Sequence, residues 1–254
     1  MTRGSGEPTL IASVQRAFHL LEEVSRRPGG ATAKTLSRCS GIALPTTYHL
    51  LRTLVHDGYL AKLDDGAFVL GERVREISEV SREHTTRHRL RTALANLRDE
   101  LRAAVYLARY HDGEVEVTEV VDSPRAPRVD TWVDFREAAH ATAIGKCLLA
   151  TLSSEERADH FSRHPPLDLT PRTRTRVREL VRSEPAALAS DSEEYALGTA
   201  CLAVAVPGWS GPVTLATSFP ARRLGRSGGY TGPLTETARD IGRLLAVSGS
   251  YPMR

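Results

Sequence analysis

Apolar residues recur at helical spacing near the start of the chain, then at alternate positions, then at helical spacing again. Behind Ser13, a favoured capping residue, Val14, Ala17, Phe18, Leu21 and Val24 form one stripe. They predict a first helix that stops near Pro28-Gly29-Gly30. Thr32 is placed to cap a short second helix with Leu36 and Cys39 turned inward. Gly41 stands where a left-handed residue would end it. A third helix is predicted from Pro45, a first-turn residue, to about Asp57, with Gly58 beyond it. The run over 32–57 therefore reads helix, tight turn, helix, the spacing of a helix-turn-helix.

In the third helix Thr47, Leu50, Leu51 and Leu54 make the inward stripe. Pro45, Tyr48, His49, Arg52 and His56 share another face, with Thr46 beside its N-terminal end. That face is rich in hydrogen-bonding groups, which is what reading base edges in a major groove requires. Two β-prone runs, 59–63 and 67–70, flank Asp64-Asp65-Gly66 and predict a hairpin. A hairpin after such a helix is a wing, and Lys62 on it is placed to meet a phosphate. The candidate DNA-contact set is Thr46, Thr47, Tyr48, His49, Arg52 and Lys62. Two alternatives stand beside it: the same unit can serve protein contacts, and Tyr48 can belong to the edge of the core.

Beyond the wing, 72–101 reads as one charged helix with Val74, Ile77, Val80, Leu90, Leu94, Leu97 and Leu101 on its apolar positions. His84 and His88 at i, i+4 lack a third ligand and a HExxH frame, so no metal site is predicted. Strands are predicted at 104–110, 114–121, 129–135, 199–206 and 213–219. Helices are predicted at 141–152, from Ser154 to about Arg163, from Thr170-Pro171 to before Pro185, and over 234–247. Strands in hairpins interleaved with helices argue for an α+β class with a largely antiparallel sheet.

Composition narrows the class. With 41% hydrophobic and 26% charged residues among 254, the chain is globular. No apolar run approaches the roughly 20 residues that cross a membrane, and the N-terminal stretch has no secretory apolar segment. Cys39, Cys147 and Cys201 are few and scattered, which fits a reducing cytoplasm. The net charge is only +3, and eight basic against six acidic residues leave the first seventy at +2. Charge alone would not point to DNA; the pattern does. Cys201, His140 and Asp191 are the residue types of a thiol nucleophile site, but no nucleophile elbow, phosphate loop or metal cluster accompanies them, so no enzyme is expected.

The runs SVQRAFHLLEEV, GIALPTTYHLLRTLVHDGYL, GAFVLGERV, HATAIGKCLLATL and SDSEEYALGTACLAVAVP, in this order, resemble the IclR family of bacterial transcription regulators. The resemblance implies a winged helix-turn-helix over 8–70, a linker helix over 71–83 that helps a dimer form, and a GAF-like effector-binding domain over 84–254. It implies a DNA-binding regulator, a repressor for preference, acting as a homodimer or dimer of dimers on a palindromic operator. No cofactor is implied. The family often has Pro, Lys and Ser where Ala43, Leu44 and Pro45 stand here, and Arg where His49 stands. Those departures bear on the operator sequence rather than on groove geometry.

Carried over residue by residue, the family's effector contacts fall on Ala143 and Ile144 (backbone amides), Asp191, Cys201, Ala216 and Ser218. A helix N-terminus at 143–144 suits a carboxylate. The methyl of Ala216 where the family has a hydroxyl fits a larger or more apolar ligand, so an acidic or aromatic effector is expected. Trp132 and Phe135 are candidates for an aromatic wall or for plain core. Bland readings stand for the others too: Gly145 can serve close packing, Cys201 can be a small buried hydrophobe, and Asp191 can cap a turn.

Overall fold

The computed structural model describes residues 10–130, 133–182, 188–209, 211–226 and 228–248. It divides into two compact units between Arg82 and Glu83, inside one long helix.

The first unit contains α1 (Ala12–Ser25), β1 (Ala31–Thr32), α2 (Ala33–Ser40), α3 (Leu44–His56), β2 (Leu60–Lys62) and β3 (Ala67–Leu70). Leu20, Val24, Leu36, Leu51, Leu54, Leu60 and Phe68 form its core. Thr32 caps α2 by accepting from Thr35 N, and Gly41 ends it in the left-handed region at φ 69°, which a side chain would strain. The hairpin is antiparallel, with Leu60 opposite Leu70 and Lys62 opposite Phe68. Its turn is fixed by Ala67 N donating to Asp65 Oδ1 at 2.9 Å. The pairing of β1 with β3 makes the wing a three-stranded sheet in the order β1-β3-β2. Two residues long, β1 carries no periodicity to read.

Three expectations for this unit fail. Ser13 does not cap α1, which starts at Ala12 behind Ile11 with no side-chain cap. Val14 and Phe18 are exposed and Leu20 is buried instead, because α1 turns only its second half to the core. Cys39 is exposed too, with Arg27 Nη2 donating to its sulfur at 3.2 Å. That guanidinium is anchored by Glu23 at 2.7 Å.

The long helix, α4 (Glu72–Leu101), opens with exposed Arg–Glu pairs. Ile77 and Val80 are about half exposed, whereas Leu90, Leu94 and Leu97 are fully buried. The second unit continues with β4 (Ala104–His111), β5 (Glu114–Val121), a 3₁₀ turn (Ala139–Ala141), α5 (Ala143–Ala150), α6 (Ser154–Arg163), α7 (Val177–Val181), β6 (Ala189–Ser192), β7 (Thr199–Ala205), β8 (Val213–Pro220), a second 3₁₀ turn (Ala221–Arg226) and α8 (Gly228–Ser248). The five strands form one antiparallel sheet in the order β5-β4-β8-β7-β6. Its two faces follow the strand period of two. Val105, Leu107, Leu202, Val204 and Leu215 pack under the buried part of α4 and under Leu234, Ala238, Ile241 and Leu245 of α8. Ala104, Tyr106, Ala108, Ala203 and Ala216 face Ile144, Cys147 and Leu148 of α5. The small alanines let α5 lie close to the sheet. Mixed helices and sheet place the chain in the α+β class expected.

The 129–135 stretch holds no strand among its described residues. The hydroxyls of Tyr106 and Tyr195 take its backbone groups, in place of a neighbouring strand. The helix expected from Thr170 begins only at Val177. Thr170 and Thr173 instead donate to the carbonyls of Glu193 and Glu194, at 2.7 and 2.6 Å, and so compete with helix formation. The strand β6, four small or polar residues, was not expected. The helix predicted over 141–152 is shorter and follows a 3₁₀ turn, because Thr142 interrupts the run and caps α5.

Candidate DNA-contact surface and ligand cavity

On α3 the predicted contact residues separate. Tyr48, His49 and Arg52 are exposed, and Thr46 is half-buried at the N-terminal end. Thr47 faces the other way: it is fully buried, and its hydroxyl donates to the carbonyls of Ile42 and Ala43 at 3.2 Å each. That corrects its inclusion among groove contacts, since a side chain spent on fastening the turn cannot reach a base. Lys62 is exposed on β2, its ammonium 6.0 Å from the Phe68 ring centre. Arg16 and His19 on α1 were not among the residues expected near DNA. With Gln15, Gly41, Ala43 and Thr46 they line an open depression of about 540 Å³ beside the start of α3. Their spacing on α1 carried no signal that they meet the turn.

In the second unit an enclosed cavity lies between the sheet and the first turn of α5. Five of the predicted ligand residues line it: Ala143, Ile144, Asp191, Cys201 and Ala216. Strand register brings them together. Asp191 lies opposite Cys201, and Cys201 lies opposite Ser218. In the next row Ala203 faces Ala216 and Ala216 faces Tyr106. Ser218 stands behind the wall, hydrogen-bonded to the Tyr106 hydroxyl at 3.0 Å. Phe135 lines the cavity, while Trp132 lies outside the described residues.

The first turn of α5 is built for polar contact. Thr142 Oγ1 accepts from Gly145 N at 3.0 Å, the third amide of the helix, leaving the amides of Ala143 and Ile144 without an intrahelical partner. Gly145 is required there. A Cβ on it would sit 2.1 Å from the Ala139 carbonyl oxygen, so the close approach expected of this glycine is to the preceding 3₁₀ turn rather than to the sheet. Lys146 ties α5 to β6 through Glu194 at 2.5 Å and the Ser190 carbonyl at 3.2 Å.

Asp191 is almost wholly buried and accepts from Glu194 N at 2.7 Å. Burial pushes its carboxyl up to about 6, against the opposing pull of that amide. Burial likewise drives the Cys201 thiol well above its ordinary range, with the neighbouring Asp191 adding to the effect. Cys201 is therefore a thiol, not a nucleophilic thiolate. His140 Nε2 donates to the Leu167 carbonyl, 2.8 Å away, and burial lowers its pKa. Among the described residues no group of three or more His, Cys, Asp or Glu is arranged to hold a metal, and His84 and His88 are both exposed.

Five residues that line the cavity were not among the expected contacts: Tyr106, Val129, Thr142, Tyr195 and Thr217. The Tyr106 hydroxyl accepts from Val129 N at 2.9 Å. Tyr195 donates to the Val133 carbonyl at 2.7 Å, and its ring stacks on Phe135 at 5.6 Å between centres. Val129 completes the wall. The space they leave is about 20 Å³, room for roughly one water.

A helix-turn-helix with an exposed polar recognition face, joined in one chain to an α+β unit built around a small enclosed cavity, is the organisation of a transcription regulator. The model of the IclR helix-turn-helix domain matches residues 13–64, and that of the bacterial transcriptional regulator IclR C-terminal domain matches 78–243. The chain belongs to the IclR family, whose members are DNA-binding transcription regulators and not enzymes. It is 27% identical over 207 residues to the HTH-type transcriptional regulator XynR of Escherichia coli, covering 79% of this chain and 81% of that protein. The transcriptional repressor IclR of Escherichia coli is 24% identical over 204 residues, covering 77% and 74%. Among solved structures, the fold matches an IclR homolog of Microbacterium hydrocarbonoxydans complexed with 4-hydroxybenzoate. The TM-score is 0.55 at 22% identity, over 93% of this chain and all of that one. No helix among the described residues is long and apolar enough to cross a membrane.

Proposed function

We propose that this regulator is a cytoplasmic repressor whose hold on a palindromic operator is set by a small acidic or aromatic effector in the α5 cavity. In this reading 8–70 is the winged helix-turn-helix, 71–83 the linker helix and 84–254 the GAF-like effector domain, and the chain works as a homodimer or dimer of dimers. Thr46, Tyr48, His49 and Arg52 read the groove, and Lys62 meets a phosphate. The amides of Ala143 and Ile144 take the carboxylate, and Asp191, Cys201, Ser218 and Ala216 surround the rest. Trp132 is kept as a candidate wall.

The observation that carries the reading is the cross-strand pair Asp191–Cys201 set against two uncommitted helix-start amides in one enclosed, largely apolar space, with Ser218 next in the row behind its wall. Ligand cavities combine apolar walls with a few convergent polar groups in this way. At about 20 Å³ the space is far below the roughly 300 Å³ of an ordinary ligand pocket, so the effector enters by displacing the wall of Tyr106, Phe135 and Tyr195. Such a displacement is how differential affinity for two states becomes a switch. A Ser→Ala difference at Ala216 and three aromatic rings favour a ring-bearing acid, and the structural relative holding 4-hydroxybenzoate supports that class.

The test is thermal unfolding of the full chain with 4-hydroxybenzoate, other aromatic acids and short aliphatic acids, followed by operator release. A ligand at one hundred times its Kd should stabilise the protein by about 2.7 kcal/mol and change DNA affinity. No stabilisation by any of these acids would contradict the effector assignment.

A further inference from the structure

A second concavity lies on the outer side of the Tyr106–Ser218 wall. Thirteen described residues line it; four are arginines, Arg102, Arg125, Arg128 and Arg223, and none is acidic. Thr199 and Ser218 add hydroxyls. Its volume is about 210 Å³, the space of roughly seven waters. We propose that this cleft is an anion-binding site separate from the effector cavity, taking a compact anion with two or more negative charges, phosphate or polycarboxylate.

The arginines reach one place from three unconnected parts of the chain. Arg102 sits in the joint between α4 and β4, Arg125 and Arg128 in the stretch after β5, and Arg223 in the 3₁₀ turn after β8. Arginines on a surface are commonly balanced by nearby acids; here one acid faces four arginines. Among the described residues Arg102, Arg125 and Arg223 have no carboxylate within 4.0 Å, and Arg128 has only Asp122, at 3.6 Å from its Nε. Glu193, the acid beside Gly198 at the rim, is already committed to Gly198 N and to Arg172. Gathering four permanent cations against the single carboxylate of Asp122 raises the local potential, and a bound anion offsets that repulsion. Planar guanidinium forks match carboxylate and phosphate oxygens two at a time.

The backbone supports the same reading. Arg102 is held at φ 48°, a left-handed conformation in which Gly or Asn would be less strained. Arg125 lies in a tight turn closed by Ser123 N to Ala126 O at 3.0 Å and Ala126 N to Ser123 O at 2.9 Å, with Pro124 and Pro127 stiffening it on both sides. Two of the four cations are thus presented from restricted backbone, which lowers the entropy lost on binding. Because Val129 lines both spaces and Ser218 bonds the Tyr106 hydroxyl, an anion here would lie directly behind the effector cavity's wall.

Titration calorimetry on the full chain at physiological salt, with pyrophosphate and separately with tricarballylate, tests this. The expected result is saturable one-to-one binding of at least one of them, weakened by about tenfold or more in the Arg102→Asn, Arg223→Gln double variant and unchanged in Arg176→Gln. Asn tolerates the left-handed backbone at 102, and if the double variant does not fold, Arg223→Gln alone carries the comparison. Binding of one anion and not the other identifies which chemistry the cleft takes. Absence of saturable binding by either anion, or binding that survives loss of Arg102 and Arg223, would overturn the assignment. Neither outcome depends on whether an aromatic acid occupies the inner cavity.

Discussion

Helix α3 and the cavity beside α5 use the same kinds of side chain in opposite ways. On α3, Tyr48, His49 and Arg52 stand in water, held by the buried face of their own helix. Around the cavity, Tyr106, Asp191 and Cys201 are turned inward and already engaged with neighbours. The first surface is ready for a partner as it stands. In the proposed reading the second must exchange existing contacts for new ones, and a ligand there would change the structure instead of only adding to it.

The sharpest way to test the contrast on α3 is to compare its two faces. Leu51→Ala removes a fully buried side chain and should destabilise the protein by about 2–5 kcal/mol in chemical denaturation. Arg52→Ala, one residue on, should leave stability within about 0.5 kcal/mol and lower operator affinity by about 1–3 kcal/mol in a filter or fluorescence titration. If the two variants behaved alike, the division of the helix into core and contact faces would be wrong.

On the cavity side, Asp191→Asn keeps an acceptor for Glu194 N and removes the buried charge. The folded carboxyl titrates near 6 against an ordinary value of 3.8, so the folded state holds more protons between those values. Stability contributed by this group therefore falls as pH rises through that window. The variant should be more stable than the parent by about 1–3 kcal/mol at pH 7.5 and by almost nothing at pH 3.5, read by thermal unfolding at both. A stabilisation that is the same at the two pH values would contradict the assignment of the buried charge. Tyr106→Phe strips the hydroxyl from Val129 N and Ser218 Oγ, and should cost about 1–3 kcal/mol and make the wall easier to open. An unchanged melting temperature and unchanged ligand affinity would show that those bonds do not hold the cavity shut.

The smallest expected effect returns to the DNA side. Lys62→Ala should weaken binding to all sequences about equally and reduce the salt slope by about one. A change in sequence preference would mean that Lys62 touches a base.

These two regions also differed in how far the sequence disclosed them. The stripe of Leu51 and Leu54, the Asp-Gly hairpin and the opposite face of α3 follow from local spacing, and they are found where spacing put them. Thr47 misled only because its place in the stripe and its place near the helix start point different ways; its bonds to Ile42 and Ala43 decide for the core. The cavity depends on register between strands far apart in the chain. Only a family resemblance, not periodicity, brought Asp191, Cys201 and Ala216 together. Tyr106 looked like any inward residue of β4, since its hydroxyl partner lies 112 residues away. The backbone at Val129 and Val133 was unreadable for the same reason: tyrosines from elsewhere, not a neighbouring strand, bond to it.

The most direct test of the account is to mix the full-length protein with sheared DNA of its source organism, recover bound fragments at two salt concentrations, and repeat with Arg52→Ala. The expected result is enrichment of one inverted repeat that survives the higher salt and is lost in the variant. Uniform recovery that vanishes with salt, or enrichment unaffected by loss of Arg52, would contradict groove reading by the exposed face of α3.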